Sequence, residues 1–207
     1  EMGQLVRAKC TKWGRGWRAW WGFGIILVEI RDAEVDMRDF AKYIRNVPDF
    51  PTKGVLFRDI TPLIGNAEVF REAVHAMAEP FRDKGVQYVA SVDARGFIFG
   101  GAMAYVLNAG FVPIRKKGKL PWKTYEVEYQ LEYGSEVLTI HQDAFPPGSR
   151  VLICDDVLAT GGTAAAAAKL VEKVGGKVIG IVFLAELTDL KGREKLKGYD
   201  VYSLIAF

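Results

Sequence analysis

Apolar residues recur every three or four positions along residues 66–85, which is the spacing of one face of an α-helix. The apolar positions are Val69, Phe70, Val74, Met77 and Phe81. Asn66 stands just before this pattern, and asparagine is a preferred N-cap because its side-chain oxygen accepts hydrogen bonds from the amides of the first turn. Gly85 closes the stretch. The pattern therefore predicts a helix over residues 66–85.

Short β-rich segments alternate with helical segments through most of the chain. We expect strands at residues 86–92, 111–116, 150–157, 177–187 and 199–207. Helical patterns occupy residues 96–110 and 163–176 between them. Such alternation predicts an α/β protein, a parallel twisted sheet with right-handed crossover helices packed on both faces.

Two other segments have patterns of their own. Residues 37–47 are amphipathic and are followed by Pro48 and Pro51, so the sequence predicts a short helix that ends there. In the second segment, polar residues alternate with apolar ones from Tyr125 to Leu131. This period of two predicts a two-stranded ribbon that turns at Gly134.

The first 36 residues differ in composition from the rest of the chain. They hold four of the five tryptophans, interleaved with Arg, Lys and Gly, and an apolar run of about ten residues. That run is half the length of a membrane-spanning helix, and the acidic residues after it do not form a signal-peptide cleavage site. A signal or interfacial anchor stays open. We expect residues 1–36 to be an extension, either added by cloning or translated ahead of a start at Met37, and residues 37–207 to form one domain.

Composition narrows the function. The chain of 207 residues is half apolar, enough for one substantial core. Residues 1–31 contain six of the 28 lysines and arginines but only two of the 25 acidic residues, which leaves 22 basic against 23 acidic residues elsewhere. The folded part therefore lacks the basic balance of a nucleic-acid binder. Cys154 lies in an apolar run, where a buried free thiol is the expected state.

The segment from Val151 to Thr163 combines a strand, two adjacent carboxylates and a loop with a double glycine. Gly161 and Gly162 let the backbone approach an anion, and the following helix N-terminus supplies amide donors. A branched side chain at Gly162 would block that approach and would not adopt a positive φ if the loop needs one. Asp155 and Asp156 suit the vicinal hydroxyls of a ribose. The segment thus fits a ribose 5-phosphate; the alternative is a buried strand that ends in an Asp-rich turn and a helix cap.

These residues resemble the signature of the type I phosphoribosyltransferases, which hold phosphoribosyl pyrophosphate (PRPP). Three further stretches narrow the resemblance to the adenine phosphoribosyltransferases, over about residues 37–207. They are residues 48–63, residues 93–100, and residues 115–121 taken with 129–134. The resemblance implies a type I phosphoribosyltransferase fold with a small N-terminal hood over the base and a β-ribbon flap over PRPP.

The resemblance also implies a role for each stretch. The residues expected at the phosphate of PRPP or AMP are Ala159, Thr160, Gly161, Gly162 and Thr163. Those expected at pyrophosphate are Asp93, Ala94, Arg95, Gly96, Arg115, Lys116 and Lys119. Main-chain groups of Leu56 and Arg58, with Phe57 nearby, are expected to bind adenine. Taken without the resemblance, Asp93 and Arg95 are also compatible with a surface ion pair, and the lysines with a solvated hairpin.

The implied reaction is displacement of pyrophosphate from PRPP by N9 of adenine, which gives AMP. We expect Arg95, Asp155 and Asp156 to act at the reacting centre, with Mg²⁺ bound mainly through PRPP and no protein metal site. Glu132 is the flap carboxylate expected near the purine, although Glu126 and Glu128 share its polar face and a solvated role stays open. The resemblance further implies a cytoplasmic homodimer with no nucleic-acid or membrane partner. The alternatives are an oxo-purine transferase and a PRPP-sensing regulator.

Overall fold

A computed structural model of the chain describes residues 39–130 and 134–207. The predicted extension, residues 1–36, lies outside the described residues, as do Leu131 and Glu132. Among the described residues, seven strands form one sheet in the order β5-β6-β4-β3-β7-β8-β9. These strands are β3 (Tyr88–Val92), β4 (Gly110–Lys116), β5 (Thr124–Gln130), β6 (Ser135–His141), β7 (Arg150–Leu158), β8 (Lys177–Glu186) and β9 (Val201–Ala206).

The sheet is parallel at its centre and antiparallel at one edge. β3 pairs in parallel with β4 and β7, and β8 pairs in parallel with β7 and β9. β5 and β6 form the antiparallel ribbon that the alternating pattern predicts, and β6 joins it to the end of β4. Both the α/β class and the position of the ribbon are therefore confirmed. Gly134, the expected turning residue, has a φ of 95°.

Four α-helices lie among the described residues: α1 (Thr61–Ile64), α2 (Ala67–Ala78), α3 (Arg95–Val106) and α4 (Gly162–Val174). Asn66 caps α2 as expected, because its side chain accepts hydrogen bonds from the amides of Glu68 and Val69. The predicted helix over residues 66–85 continues as a 3₁₀ helix, Glu79–Lys84, and ends at Gly85 with a φ of 60°.

The core has two layers, one on each face of the sheet. Leu152 and Cys154 of β7 pack with α2 and α3 on one face, whereas Val151 and Ile153 pack with α4 on the other. This alternation follows from the period of two in a strand buried on both sides. Cys154 is free and fully buried, as expected, and burial raises the pKa of its thiol.

The prediction of a helix over residues 37–47 is wrong for most of its length. Only a 3₁₀ helix, Phe40–Tyr43, forms there, and β1 (Arg45–Pro48) follows it. β1 pairs antiparallel with β2 (Leu56–Asp59). The cause is a tertiary contact, because backbone hydrogen bonds between β1 and β2 replace those that a helix would form within residues 45–48.

Within the described part of the chain, no helix has the length and the apolar character needed to span a membrane.

Candidate active site

A cleft of about 440 Å³ opens where β3 and β7 end at their carboxyl edge. This is where parallel sheets bind ligands, because loops and helix N-termini meet there. The residues that line it are Val92, Asp93, Ala94, Arg95, Lys116, Tyr129, Leu138, Asp155, Asp156, Val157, Leu158, Ala159, Thr160, Gly161, Gly162, Thr163, Ala164 and Phe183. The cleft therefore brings together the two predicted anion loops, the carboxylate pair and the lysine at the end of β4.

The loop from Ala159 to Thr163 forms one end of the cleft and leads directly into α4. Gly161 is its left-handed residue, with a φ of 78°, and Gly162 is the first helical residue. The positive φ that we considered at Gly162 thus belongs to Gly161. Because the amides of a first helical turn have no acceptor within the helix, they are available to an anion, and the helix dipole favours negative charge there.

Asp155 and Asp156 lie near the end of β7 with Arg95 beside them. The Nε atom of Arg95 lies 2.7 Å from Oδ2 of Asp156. No protein group among the described residues donates a well-directed hydrogen bond to that buried oxygen. Burial raises the pKa of both carboxyls, and for Asp155 the charge of Asp156 adds to the effect. The pair is therefore an incompletely satisfied acceptor site for a ligand that carries hydroxyls.

Gly96 explains how α3 reaches the carboxylate pair. A Cβ atom built on Gly96 would stand 2.6 Å from Oδ1 of Asp155. Only glycine lets the first turn of α3 pack against the carboxylate at this distance. Gly96 is not among the residues that line the cleft, and its contact with pyrophosphate stays a prediction.

The loop between β3 and α3 contains a cis peptide bond between Asp93 and Ala94. Arg115 approaches this loop from β4 and donates from Nε to Oδ2 of Asp93 at 2.9 Å. Its Nη1 atom donates to the carbonyl of Lys119 at 3.0 Å. Neither Arg115 nor Lys119 lines the cleft. In this arrangement Arg115 fixes Asp93 and the 116–119 turn.

β4 and β5 bring Lys116 and Tyr129 to the cleft, and Glu136 of β6 connects them. The ammonium of Lys116 pairs with Glu136, and the hydroxyl of Tyr129 donates to Glu136 at 3.1 Å. The pKa of Glu136 is lowered chiefly by Lys116, while burial raises the pKa of Tyr129. Sequence reasoning missed Tyr129 as a cleft residue and Glu136 as its partner. The only signal was that Tyr129 falls on the apolar, inward face of the alternating ribbon.

The predicted base-binding residues of β2 do not line this cleft but adjoin it. The ring of Phe57 lies under the guanidinium of Arg95, with 5.4 Å between its centroid and Cζ. The guanidinium of Arg58 lies 4.0 Å from the ring centroid of Phe207, and the Leu56 side chain is exposed. Arg95 therefore connects the β1–β2 hairpin with the carboxylate pair.

Comparison with known proteins agrees with this geometry. The phosphoribosyl transferase domain family matches residues 65–205. Adenine phosphoribosyltransferase of Thermotoga sp. (strain RQ2) is 57% identical over 169 residues, which cover 82% of this chain and 99% of that protein. The crystal structure of adenine phosphoribosyltransferase from Thermoanaerobacter pseudethanolicus has a TM-score of 0.80 and 51% identity, and covers 83% of this chain and 99% of its own.

A second solved structure adds ligands to the comparison. It is the adenine phosphoribosyltransferase of Saccharomyces cerevisiae, complexed with D-2,5-dideoxy-2,5-imino-altritol 1,6-bisphosphate and adenine. It is 39% identical to this chain with a TM-score of 0.77, and the match covers 81% of this chain and 97% of that one. Sequence, fold and site geometry thus agree, and the chain belongs to the adenine phosphoribosyltransferase family.

Proposed function

We propose that the protein transfers the phosphoribosyl group of PRPP to adenine and releases AMP and pyrophosphate, a reaction of purine salvage. The observation that carries the proposal is the single cleft that joins a glycine phosphate loop, a carboxylate pair and a second loop with an arginine. PRPP presents these same three features in order: a 5-phosphate, a ribose diol and a diphosphate.

Ribose binding falls to Asp155 and Asp156. Hydroxyl groups of the sugar donate to these carboxylates, and the buried Oδ2 atom of Asp156 has no well-directed hydrogen-bond donor among the described residues. Positive charge develops on the ribose as its bond to the diphosphate lengthens. The two carboxylates lower the energy of that charge and hold the anomeric carbon in place.

The displacement breaks the bond between the anomeric carbon and the diphosphate oxygen, and the electron pair leaves with the diphosphate. N9 of adenine forms the new bond and loses its proton. Arg95 and Lys116 line the cleft and stabilise the negative charge of the leaving group. Arg115 and Lys119 act indirectly, because they fix the loop that carries Asp93 and the turn after β4.

Mg²⁺ is the proposed cofactor, held mainly through the oxygens of PRPP. Across residues 39–130 and 134–207, no three His, Cys, Asp or Glu side chains are grouped to hold a metal. Mg²⁺ prefers phosphate and water oxygens to an all-protein cage, so PRPP would supply most of its ligands. When bound, it neutralises charge on the diphosphate.

Adenine is proposed to bind at the open edge of β2. Pro48 has no N–H, so its pair with Leu56 is not one that exchanges two backbone hydrogen bonds. The backbone groups of Leu56, and of Arg58 two residues later, are then directed away from β1. A donor and an acceptor of this kind match an amino-purine, whereas an oxo-purine needs the inverse pattern. Glu132 is proposed to share the purine proton from the flap.

A comparison of four bases tests the function. Adenine with PRPP and Mg²⁺ should yield AMP far faster than hypoxanthine, guanine or xanthine yields its nucleotide. The measurement is the initial rate of nucleotide formation at equal base concentrations. A preference for an oxo-purine would contradict the adenine assignment, and PRPP binding without turnover of any base would indicate a regulator.

A cytoplasmic homodimer without nucleic-acid or membrane partners is also proposed. PRPP is too highly charged to enter a membrane unaided, which places the reaction beside its synthesis. Ile98, Tyr105 and Phe111 are exposed apolar side chains of α3 and β4, and Tyr105 is 89% exposed. Such side chains suit a subunit interface. Light scattering should give the mass of a dimer, and Tyr105→Lys should reduce it; a monomeric wild-type protein would contradict the proposal.

A further inference from the structure

The segment after β8, residues 187–196, runs directly behind the phosphate loop; we term it the bracing segment. It contains two 3₁₀ helices, Thr188–Leu190 and Gly192–Leu196. Its first amide, from Leu187, donates to the carbonyl of Leu158 at 2.9 Å, one residue before the phosphate loop begins. Leu196 is buried in the same core layer as Leu158. The bracing segment is thus attached at both ends beside the loop.

Two glycines bring the bracing segment and the phosphate loop into direct backbone contact. A Cβ atom on Gly192 would stand 2.2 Å from the carbonyl oxygen of Ala159, and one on Gly161 would stand 2.3 Å from the carbonyl oxygen of Gly192. Gly161 is the residue with the positive φ that orients the loop amides. The backbone of Gly192 therefore supports the phosphate loop at the turn that shapes it.

One ion pair holds Gly192 in this position. Arg193, the next residue, donates from Nε to both oxygens of Glu186, at 2.8 and 2.9 Å, and from Nη2 to Oε2 at 2.7 Å. It also donates from Nη1 to the carbonyl of Val201 at 2.9 Å. Glu186 is 6% exposed, at the end of β8. Arg193 thus connects the bracing segment to two strands of the sheet.

We propose that Glu186 and Arg193 are positioning residues for the 5-phosphate site, which act by pressing Gly192 against the phosphate loop. The inference rests on the proposed function, because it takes residues 159–163 as the site of the PRPP and AMP phosphate. Neither side chain lines the cleft. Their effect on substrate passes through the loop backbone, whose amides must converge on the phosphate oxygens.

A purely structural role would predict a different result. Loss of a stabilising ion pair lowers the melting temperature but leaves the ligand affinity of the folded protein unchanged. A positioning role predicts selective damage, since the bracing segment supports the loop after β7 and has no bond to the loop between β3 and α3 among the described residues. The affinity for ligands with a 5-phosphate should fall, and the affinity for pyrophosphate should not.

The test measures dissociation constants by calorimetry for AMP, ribose 5-phosphate and pyrophosphate, well below the melting temperature of each variant. Arg193→Ala should raise the constants for AMP and ribose 5-phosphate by about 10- to 100-fold and leave that for pyrophosphate unchanged. Arg193→Lys should give a smaller rise, because lysine lacks the planar fork that spans both oxygens of Glu186. Gly192→Ala should reproduce the selective loss through the loop contact itself, even if Arg193→Ala does not fold.

Arg150→Ala is the matched control. Arg150 donates from Nε to the carbonyl of Lys84 at 2.9 Å, at the opposite end of β7. Its loss should lower the melting temperature without changing AMP affinity. Unchanged AMP affinity in Arg193→Ala or in Gly192→Ala would overturn the inference, as would equal weakening of AMP and pyrophosphate. A wild-type protein that binds neither AMP nor ribose 5-phosphate would instead contradict the proposed function.

Discussion

Neighbouring strands β7 and β8 each carry a buried carboxylate at or near the carboxyl end, but the surroundings of the two carboxylates differ. Asp156 is 4% exposed and Glu186 is 6% exposed, so burial alone does not distinguish them. Glu186 receives three hydrogen bonds from one guanidinium, which holds its pKa below the usual range. Asp156 has an ion pair with Arg95, its buried Oδ2 atom receives no well-directed hydrogen bond from the described residues, and its pKa is raised.

The difference reflects what each carboxylate is for. A buried charge is costly unless protein groups neutralise and hydrogen-bond it. Around Glu186 the protein supplies those groups, and the result is a fixed backbone at the end of β8. Around Asp155 and Asp156 it leaves acceptor capacity that a sugar can use. The carboxylates that bind ligand at β7 therefore lower the stability of the ligand-free protein, whereas the ion pair of Glu186 and Arg193 at β8 raises it.

The largest expected effect comes from Asp155→Asn. Loss of the charge that stabilises the ribose should lower turnover with PRPP and adenine by about 10² or more. The ligand-free protein should melt at the same or a higher temperature, because the variant removes a partly desolvated carboxyl group and its repulsion with Asp156. The measurements are kcat/KM and calorimetric melting.

Asp143→Asn is the control for this substitution, since Asp143 is an exposed aspartate in the turn after β6. It should change neither quantity. If Asp155→Asn lowered the melting temperature as well as the turnover, Asp155 would stabilise the fold, and the proposed contrast between β7 and β8 would be wrong.

Glu186→Ala should show the opposite balance. Removal of the carboxylate leaves Arg193 without its main partner and should lower the free energy of unfolding by about 2 kcal/mol. For a chain of this size that corresponds to a fall in melting temperature of roughly 4–8 °C. At saturating PRPP, turnover should fall far less than in Asp155→Asn.

Glu79→Ala is the matched control for Glu186→Ala. Glu79 also pairs with an arginine, Arg82, but its side chain is 66% exposed. Exposed pairs contribute at most about 1 kcal/mol, so its melting temperature should remain near that of the wild type. Equal losses from the two substitutions would show that burial does not strengthen the pair at β8.

This contrast marks how far the sequence leads. The period of the apolar positions predicted the parallel sheet, the ribbon and the cap at Asn66, because those signals are local. The order of residues 151–163 also indicated that a phosphate loop and a carboxylate pair share one site. Local signals failed at residues 45–48, where the pairing of β1 with β2 replaces helical hydrogen bonds.

Long-range packing accounts for what the sequence did not indicate. Arg193 is seven residues from its partner Glu186, and Gly192 is 31 residues from Gly161, so no spacing rule links them. Likewise, Tyr129 and Glu136 enter the site only because β5 pairs with β6. Gly161, the glycine of the phosphate loop with the positive φ, also lies against the backbone of Gly192, and no local pattern indicates that contact.

The pH dependence of stability should separate the two strand ends further. The pKa of Asp155 is raised in the folded protein. Its contribution to stability is therefore fully present below the ordinary pKa of 3.8 and is lost as the pH rises through the raised value. The ligand-free Asp155→Asn variant should therefore become more stable relative to the wild type as the pH increases. Glu186 has a lowered pKa, so its contribution is present above the ordinary value of 4.5 and is lost as pH falls.

Melting temperatures of ligand-free wild type, Asp155→Asn and Glu186→Gln, measured from about pH 3 to about pH 8, should show these opposite trends. The deficit of Glu186→Gln should be largest near neutral pH and should shrink in acid. Parallel curves for all three proteins would mean that neither carboxylate titrates differently in the folded state.

The smallest effect is expected from Ser203→Ala, which tests whether the charge of Arg193 or the wider polar network stabilises Glu186. Arg193 donates from Nη2 to Oγ of Ser203 at 3.3 Å, a long hydrogen bond beside the much shorter ones to the carboxylate. Its loss should cost no more than about 0.5 kcal/mol, with AMP affinity unchanged, because Arg193 keeps both oxygens of Glu186 and the carbonyl of Val201. Chemical denaturation and calorimetry measure the two quantities. A loss of stability as large as that of Glu186→Ala would show that the polar network around Ser203, rather than the guanidinium of Arg193, stabilises the buried charge of Glu186. Asp156 also has an arginine beside it. The difference between Glu186 and Asp156 would then depend on hydroxyl donors alone.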